Sequence, residues 1–518
     1  MSADGSFAYS SAPSPEELAR FEMNDFGNAM RLIRLVGGEV GDAGDIGLEA
    51  ATLLYLREIG WIGWNGRHWD LKLGQRLAER TAHRVAQGLS GQYTAFVASG
   101  RTPKQTMDFI RSSGNAGSTA AMLRVAEAYL QVELDAFDAE PLTLTVRNGT
   151  LRFRREAGDG LKIDFSAHDP KDRITRMAPV AFDARARCPL WEAKVAEWQP
   201  DPAMAGYLQR LAGYGFTGHT HEQVFVIHQG KGRDGKSTFM NLLRELAGDY
   251  GDVADVRTFL DTGMRGGGEA SPDLARLAGD CRLLSVAEPP RGAKLNEAMI
   301  KSFTGGAPIV ARRLRQDLFS FTPKPKVFME ANSRPKISGD DDGIWRRVRL
   351  VLWEHQVGKA DVDPGLPAKL MAEAPGILNW VIAGLGDWLS EGLAEPERVS
   401  AAMDDYRKNS SPFGEWFVER VELVEGERTP ATYFFKDYQT WAEKVLLEKP
   451  MSQRAFGDAL ADRQIIRCGK DARGNVLRMG ARLRPTWEMS GGDGSDLGAG
   501  GAGGGSGGDH DYPEDYGR

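Results

Sequence analysis

Apolar residues in the first 145 positions recur every three or four residues, in stretches such as SPEELARFEMNDFGNAMRLIRLV and DLKLGQRLAERTAHRVAQGL. That is the period of a helix with one buried face, so residues 1–145 are expected to be mostly helical, a candidate oligomerisation collar. A Trp- and Gly-rich insert, WIGWNGRHWD, interrupts them. The period shortens to two in LTLTVRNGTLRFRRE, where Asn148-Gly149 separates two alternating runs. This is a hairpin signal, and it predicts a small β element that continues into a helical lead-in over 146–215. A fully apolar run, Val224-Phe225-Val226-Ile227, then reads as a buried strand, and strands alternate with helices to about residue 356. Alternation of this kind predicts an α/β core over 216–360. PAKLMAEAPGILNWVIAGLGDWLSEGL gives a helical connector over 361–403. Three further helical stretches follow, DYRKNSSPFGEWFVERVEL, ATYFFKDYQTWAEKVL and MSQRAFGDALADRQI, the last opened by Ser452 as its N-cap. With a basic two-strand segment they make a unit over 404–485, and no internal repeat of fixed period is visible.

Composition changes this picture at one end. Twelve of the 62 glycines fall between Ser490 and Arg518, in a stretch with almost no aliphatic residues, so 486–518 is expected to be a disordered tail. The chain carries 65 Lys+Arg against 72 Asp+Glu, a net charge of −7. Between Ser490 and Arg518, six acids against Arg518 account for −5 of it, leaving about −2 for the rest by subtraction (−7 minus −5). The acidic total therefore does not exclude a nucleic-acid partner. Cys188, Cys281 and Cys468 are far apart and unaccompanied by histidines, which disfavours a disulfide framework or a zinc module. With no leader and no apolar run long enough to span a bilayer, the chain reads as cytoplasmic, without a membrane partner.

The candidate chemistry starts directly after the buried strand. Gly230-Lys231-Gly232-Arg233-Asp234-Gly235-Lys236-Ser237, followed by Thr238, fits G-x-x-x-x-G-K-[ST] between a strand and a helix. Glycines let backbone N–H groups turn onto phosphates, the helix N-terminus adds its positive end, Lys236 neutralises β/γ-phosphate charge, and the Ser237 hydroxyl is a Mg²⁺ ligand. ATP and Mg²⁺ are the expected cofactors. Two later strands end in polar residues. Leu283–Ala287 leads to Glu288, a carboxylate able to orient water and support the metal, although alone it equally reads as a solvated loop acid. Val327–Ala331 leads to Asn332, a neutral donor for the γ-phosphate or, alone, a turn residue. Trp345-Arg346-Arg347 presents an arginine pair that could reach a neighbouring subunit's nucleotide; the alternative is a surface pair flanking a buried tryptophan.

Residues 289–326 hold eight bases (Arg291, Lys294, Lys301, Arg312, Arg313, Arg315, Lys324, Lys326) against Glu297 and Asp317. Placed on a hairpin built from IVARR and LFSFTP, such a run suits a grip on phosphates in a channel, with Lys301, Arg312, Arg313 and Arg315 as contacts. A second basic island at 463–484 includes Arg473 and Arg478, and Arg454 lies on the helix before it. Helices followed by a basic wing suggest a winged helix-turn-helix touching duplex DNA; an interaction domain with a basic surface is the other reading.

The order of these segments resembles the superfamily 3 helicases, in particular the poxvirus/phage/plasmid primase-associated family. The resemblance runs through GKST (Gly235–Thr238), Glu288, LNEAMIKSFTGG (Leu295–Gly306), Asn332 and GIWRR (Gly343–Arg347). It extends to NDFGNAMRL, W-x-x-W-N-G-x-x-W (Trp61–Trp69), VRNGTLRF, CPLW, YLQRLAGYGFTG and PGILNWVIAGLGDW. It implies an AAA+-type P-loop ATPase core, with Lys236 and Ser237 on phosphates and Mg²⁺, Glu288 as the acidic strand end, Asn332 as sensor and Arg346 or Arg347 as a finger in trans. It further implies a homo-hexamer on single-stranded and forked DNA in replication, moving 3′ to 5′, with primase and polymerase as partners, in a phage or prophage within a bacterial host. Two departures stand out: Gly305-Gly306-Ala307 replaces the family's Gly-Gly-Asp, and a single acid follows the second strand. The alternatives are an ATP-switched initiator ring and the helicase part of a primase-helicase. For priming by this chain the nearest feature is Asp70 beside His68, within the tryptophan motif.

Overall fold

The computed structural model describes residues 13–41, 45–156, 160–261, 272–312, 318–337, 342–358, 362–446, 450–461, 463, 467–470 and 476–484. They form two compact units, divided between Lys408 and Asn409. The glycine-rich tail, the hairpin tip with Arg313 and Arg315, and Arg473 lie outside the described residues.

The N-terminal region is helical around a small sheet. Asn24 caps the helix Asp25–Leu35 by accepting from the Gly27 N–H at 2.8 Å, and Asp70 caps Leu71–Gly88 through the Lys72 N–H at 2.7 Å. The tryptophan motif is not an irregular insert. Gly60–Trp64 pairs antiparallel with Leu53–Leu56 and with Trp69–Asp70, and Trp61, Trp64 and Trp69 are all buried. Its aromatic residues supply core area, which accounts for their spacing without any role in chemistry. The hairpin forms, but one residue earlier than the Asn148-Gly149 signal places it: Val146 pairs with Gly149, Arg147-Asn148 make the turn, and Leu161–Ser166 adds a third strand.

The α/β core is a five-stranded parallel sheet. In chain order its strands are β1 (Phe225–Gly230), β2 (Gly251–Ala254), β3 (Leu283–Val286), β4 (Lys326–Ala331) and β5 (Val348–Trp353), and their spatial order is β2-β3-β4-β1-β5. Interior β1 lies between β4 and the edge strand β5, with Ile227 opposite both Met329 and Leu350. β1, β3, β4 and β5 are buried along most of their length, as their largely apolar runs require, whereas the edge strand β2 leaves Val253 exposed. Between β3 and β4 the chain forms helix α1 (Glu297–Thr304) and the antiparallel hairpin Ile309–Arg312/Leu318–Phe321.

The segment after the sheet is more than a connector. Helix Ala374–Glu391 crosses helix Pro202–Gly215 so closely that a Cβ on Gly213 would sit 2.1 Å from the Leu385 nitrogen, and one on Gly384 would sit 2.0 Å from the Gln209 carbonyl oxygen. Leu208, Leu211, Val381 and Leu385 join the same core as Phe239 and Phe328, which fuses the lead-in and the post-sheet helices to one face of the sheet.

The second unit holds helices Pro412–Arg420, Ala431–Trp441 and Gln453–Ala461 around Trp416, Phe434 and Phe456. The VEL expected to end the first helix instead opens a strand, Val421–Pro430, because alternating residues with Val421 inward favour extension there. That strand pairs with Val476–Leu483, which pairs with Arg467–Lys470. Ser452 does cap the third helix, accepting from the Ala455 N–H at 3.3 Å.

Candidate nucleotide site

The glycine loop leaves β1 at the C-terminal edge of the sheet and enters the helix Lys236–Ala247. Gly232 and Gly235 both hold φ +89°, a left-handed conformation that a side chain disfavours. A Cβ on Gly235 would also fall 2.4 Å from the buried Trp198 ring. Trp198 ends the helix Pro189–Trp198, so the lead-in buttresses the loop from outside the sheet.

Lys236 is only 5% exposed and Asp234 only 2%. The Lys236 ammonium donates to Asp234 Oδ2 at 3.1 Å and to Asn332 Oδ1 at 3.1 Å. Asp234 also accepts from the backbone N–H of Gly232 at 3.0 Å and of Lys236 at 3.3 Å. Its carboxylate thus collects three donors of the kind a phosphate would need, which the loop pattern alone does not reveal. Asn332 joins this lysine to Glu288: its N–H donates to Glu288 Oε1 at 3.1 Å and its amide to Oε2 at 2.7 Å. Glu288 lies two residues beyond the end of β3, exposed at the mouth of the loop. Three expected residues, Lys236, Asn332 and Glu288, therefore form one chain of contacts.

Glu330 was not among the expected site residues, yet the Ser237 hydroxyl donates to its carboxylate. The available signal was an acid breaking the apolar run Val327–Ala331 one residue before its end. Behind the site, fully buried His228 on β1 accepts from Trp353 Nε1 at 2.9 Å, and burial, with Lys236 second, pushes its pKa down to about 3. Among Lys231, Arg233 and Thr238, the first two are exposed and Thr238 half-buried at the loop's edge.

The two arginines separate. Arg346 is exposed, whereas Arg347 is buried and donates to the Gly343 carbonyl at 2.6 Å. Its guanidinium is held inside the fold, so the expected exposed pair reduces to Arg346. The basic run also divides. Lys301 on α1 is half-buried and Arg312 at the hairpin is exposed. Lys326 is buried, its ammonium donating to the Thr217 and His219 carbonyls, and burial holds its pKa well below the usual lysine value. Lys324 donates to the Asp138 carbonyl at 2.8 Å. Both lysines are tied down by carbonyls behind the hairpin, Lys326 buried and Lys324 partly exposed. In the second unit Arg454 is exposed, whereas Arg478 is buried, with its guanidinium 3.4 Å from the Gly457 carbonyl. Arg482 pairs with Glu422, and Arg463 lies over the Phe417 ring at 4.7 Å.

Among the described residues there is no group of three or more His, Cys, Asp or Glu able to hold a metal, and no helix long and apolar enough to cross a membrane. Cys188 and Cys281 are free and buried.

Residues 47–200 match the family described as D5 N terminal like. The chain is 29% identical over 247 residues to a protein of Acanthamoeba polyphaga mimivirus named "Putative helicase L207/L206", covering 44% of this chain and 26% of that protein. It is 30% identical over 173 residues to the similarly named 022R of Frog virus 3 (isolate Goorha), covering 33% and 17%. The chain thus spans about a quarter or less of the curated relatives it matches. Among solved structures, the apo C-terminal region of NrS-1 (305–718) aligns over 66% of this chain and 95% of that one, with 9% identity and a TM-score of 0.32. The similarities of sequence therefore lie with helicase-named proteins of viruses, here from eukaryotic hosts.

Proposed function

We propose that the chain is an ATP-driven DNA helicase of the superfamily 3 type, working as a ring on single-stranded and forked DNA during replication. The observation that carries this reading is the meeting of Lys236, Asn332 and Glu288 at the mouth of a glycine loop on an interior strand of a parallel sheet. The strand order, with the loop strand between β4 and β5, supports an AAA+-type core. Helices with a three-stranded antiparallel sheet support a winged helix at the C-terminus.

In this reading the loop N–H groups and the Lys236 ammonium bind the β- and γ-phosphates, displacing the Asp234 carboxylate from donors it now holds. Asn332 holds Glu288 toward the position of the attacking water and senses the γ-phosphate through its contact with Lys236. The Ser237 hydroxyl and the carboxylate it meets are oxygen donors that fit Mg²⁺, a hard cation that uses few protein ligands and keeps most of its waters; when bound it would neutralise phosphate charge. Exposed Arg346 suits a finger reaching a neighbouring subunit. Lys301 and Arg312, with Arg454 in the second unit, remain the described candidates for DNA.

The test is ATP hydrolysis and strand displacement on a forked duplex by the full chain and by Lys236→Ala. ATP-dependent unwinding lost in Lys236→Ala is expected. Hydrolysis at an unchanged rate in that variant refutes the site. ATP-dependent binding without displacement refutes the helicase and favours an initiator ring.

A further inference from the structure

The single acid after β3 leaves one carboxylate for two tasks, water activation and metal support. We infer that Glu330, on the neighbouring strand β4, is the second carboxylate, and that it forms with Ser237 the protein's half of the Mg²⁺ site, freeing Glu288 for the water. The inference deepens the nucleotide reading above and rests on it.

The geometry follows from strand alternation. Successive side chains on β4 point to opposite faces, so Glu330 shares a face with Phe328. Phe328 packs in the same core as Phe239 and Met240 of the helix Lys236–Ala247, while Val327, Met329 and Ala331 belong to the core on the other face. Register sets Glu330 opposite His228, two residues before the glycine loop begins. Glu330 therefore emerges beneath the first turn of the loop's helix, where the Ser237 hydroxyl meets it. The two acids have different partners. Both oxygens of Glu288 are engaged by Asn332, which ties that carboxylate to the γ-phosphate side of Lys236. Glu330 is instead tied to the residue type that takes the metal in such loops. It is half-buried, so its charge is less screened than that of exposed Glu288 and suits a divalent cation.

Mn²⁺, which is paramagnetic, serves as the probe in place of Mg²⁺. Its binding to the full chain saturated with ADP is followed by electron paramagnetic resonance for the wild type, Glu330→Gln, Glu330→Asp and Glu288→Gln, with ADP affinity measured separately in EDTA. Outer and direct metal partners typically contribute 10–100-fold in affinity. Glu330→Gln is expected to weaken Mn²⁺ about tenfold or more, Glu330→Asp to fall between, and Glu288→Gln to stay within about twofold of wild type, while ADP in EDTA is unchanged throughout. Unchanged Mn²⁺ affinity in Glu330→Gln overturns the assignment. So does an equal loss in Glu288→Gln, or a loss of metal-free ADP binding in Glu330→Gln, which would mark a structural role. A wild-type chain that binds no ADP overturns the nucleotide reading itself, an outcome separate from these.

Discussion

The loop's dependence on its buttress can be measured with two alanines. Gly232 and Gly235 share φ +89°, and placing alanine in the left-handed region costs about 1–2 kcal/mol at either. Around Gly232 a Cβ meets nothing within 4 Å, so strain is the whole cost there. At Gly235 the Cβ falls 2.4 Å from Trp198, where ordinary contact begins at 3.4 Å, so loop or ring must move by about 1.0 Å (3.4 minus 2.4). The ring has little room, being 2% exposed and set against Trp191 and Trp353 with centroids 6.3 Å away in each case. Overpacking of this kind adds roughly 1–3 kcal/mol, for a total of about 2–5 kcal/mol at Gly235. A 1 Å displacement next to Lys236 should also lower ATP turnover on the order of 100-fold. Urea unfolding of nucleotide-free protein, followed by circular dichroism, should rank wild type, Gly232→Ala and Gly235→Ala in falling stability. Gly235→Ala as stable as Gly232→Ala would refute the contribution of Trp198.

His228 makes stability pH-dependent. Its folded pKa of about 3 lies below the unfolded 6.5, so the unfolded chain binds a proton that the folded chain refuses. The contribution is fully present above 6.5 and declines as pH falls toward 3, by about 2 kcal/mol at pH 5; His228→Gln should flatten that slope in urea midpoints, and an unchanged slope would exclude His228 as its source. Arg347→Ala, which empties a buried donor site, should cost about 1–3 kcal/mol in unfolding free energy, and exposed Arg346→Ala within about 0.5 kcal/mol. Mixing Arg346→Ala with Lys236→Ala protein should restore part of the ATPase activity at hybrid interfaces, and no recovery at any ratio would argue against a finger in trans. At the helix crossing, Gly213→Ala gains about 1 kcal/mol of helix propensity but should still lower the melting temperature, because the Leu385 backbone is in the way; an equal or higher value would contradict the close approach.

Much of the site was legible because its chemistry is local. The glycine loop is contiguous, and periodicity alone set a buried strand before it and a helix after it. The cap at Ser452 and the existence of the hairpin were legible for the same reason, each depending on residues within a turn of one another, although the turn falls at Arg147-Asn148, one residue before the Asn148-Gly149 pair. What distance in sequence concealed was the partner of each residue. Glu330 lies 93 positions from Ser237, and Asn332 lies 96 from Lys236 and 44 from Glu288. Charge misled where it was counted without burial: Lys326, Arg347 and Arg478 look like surface cations in a string of letters, and each is buried on a carbonyl.

The sequence by itself determined most element types, the segment from Val421 excepted, with the loop and the polar residues at strand ends, since backbone propensity, period and turn chemistry act over a few residues. Tertiary structure decided which strands are neighbours, and so which of the two acids meets Ser237 and which meets Asn332. It also decided that Gly213 and Gly384 are a helix crossing and that Trp198 packs against the glycine loop. The physical reason is the same in each case. These properties belong to pairs of surfaces brought together by burial, and no single segment carries them.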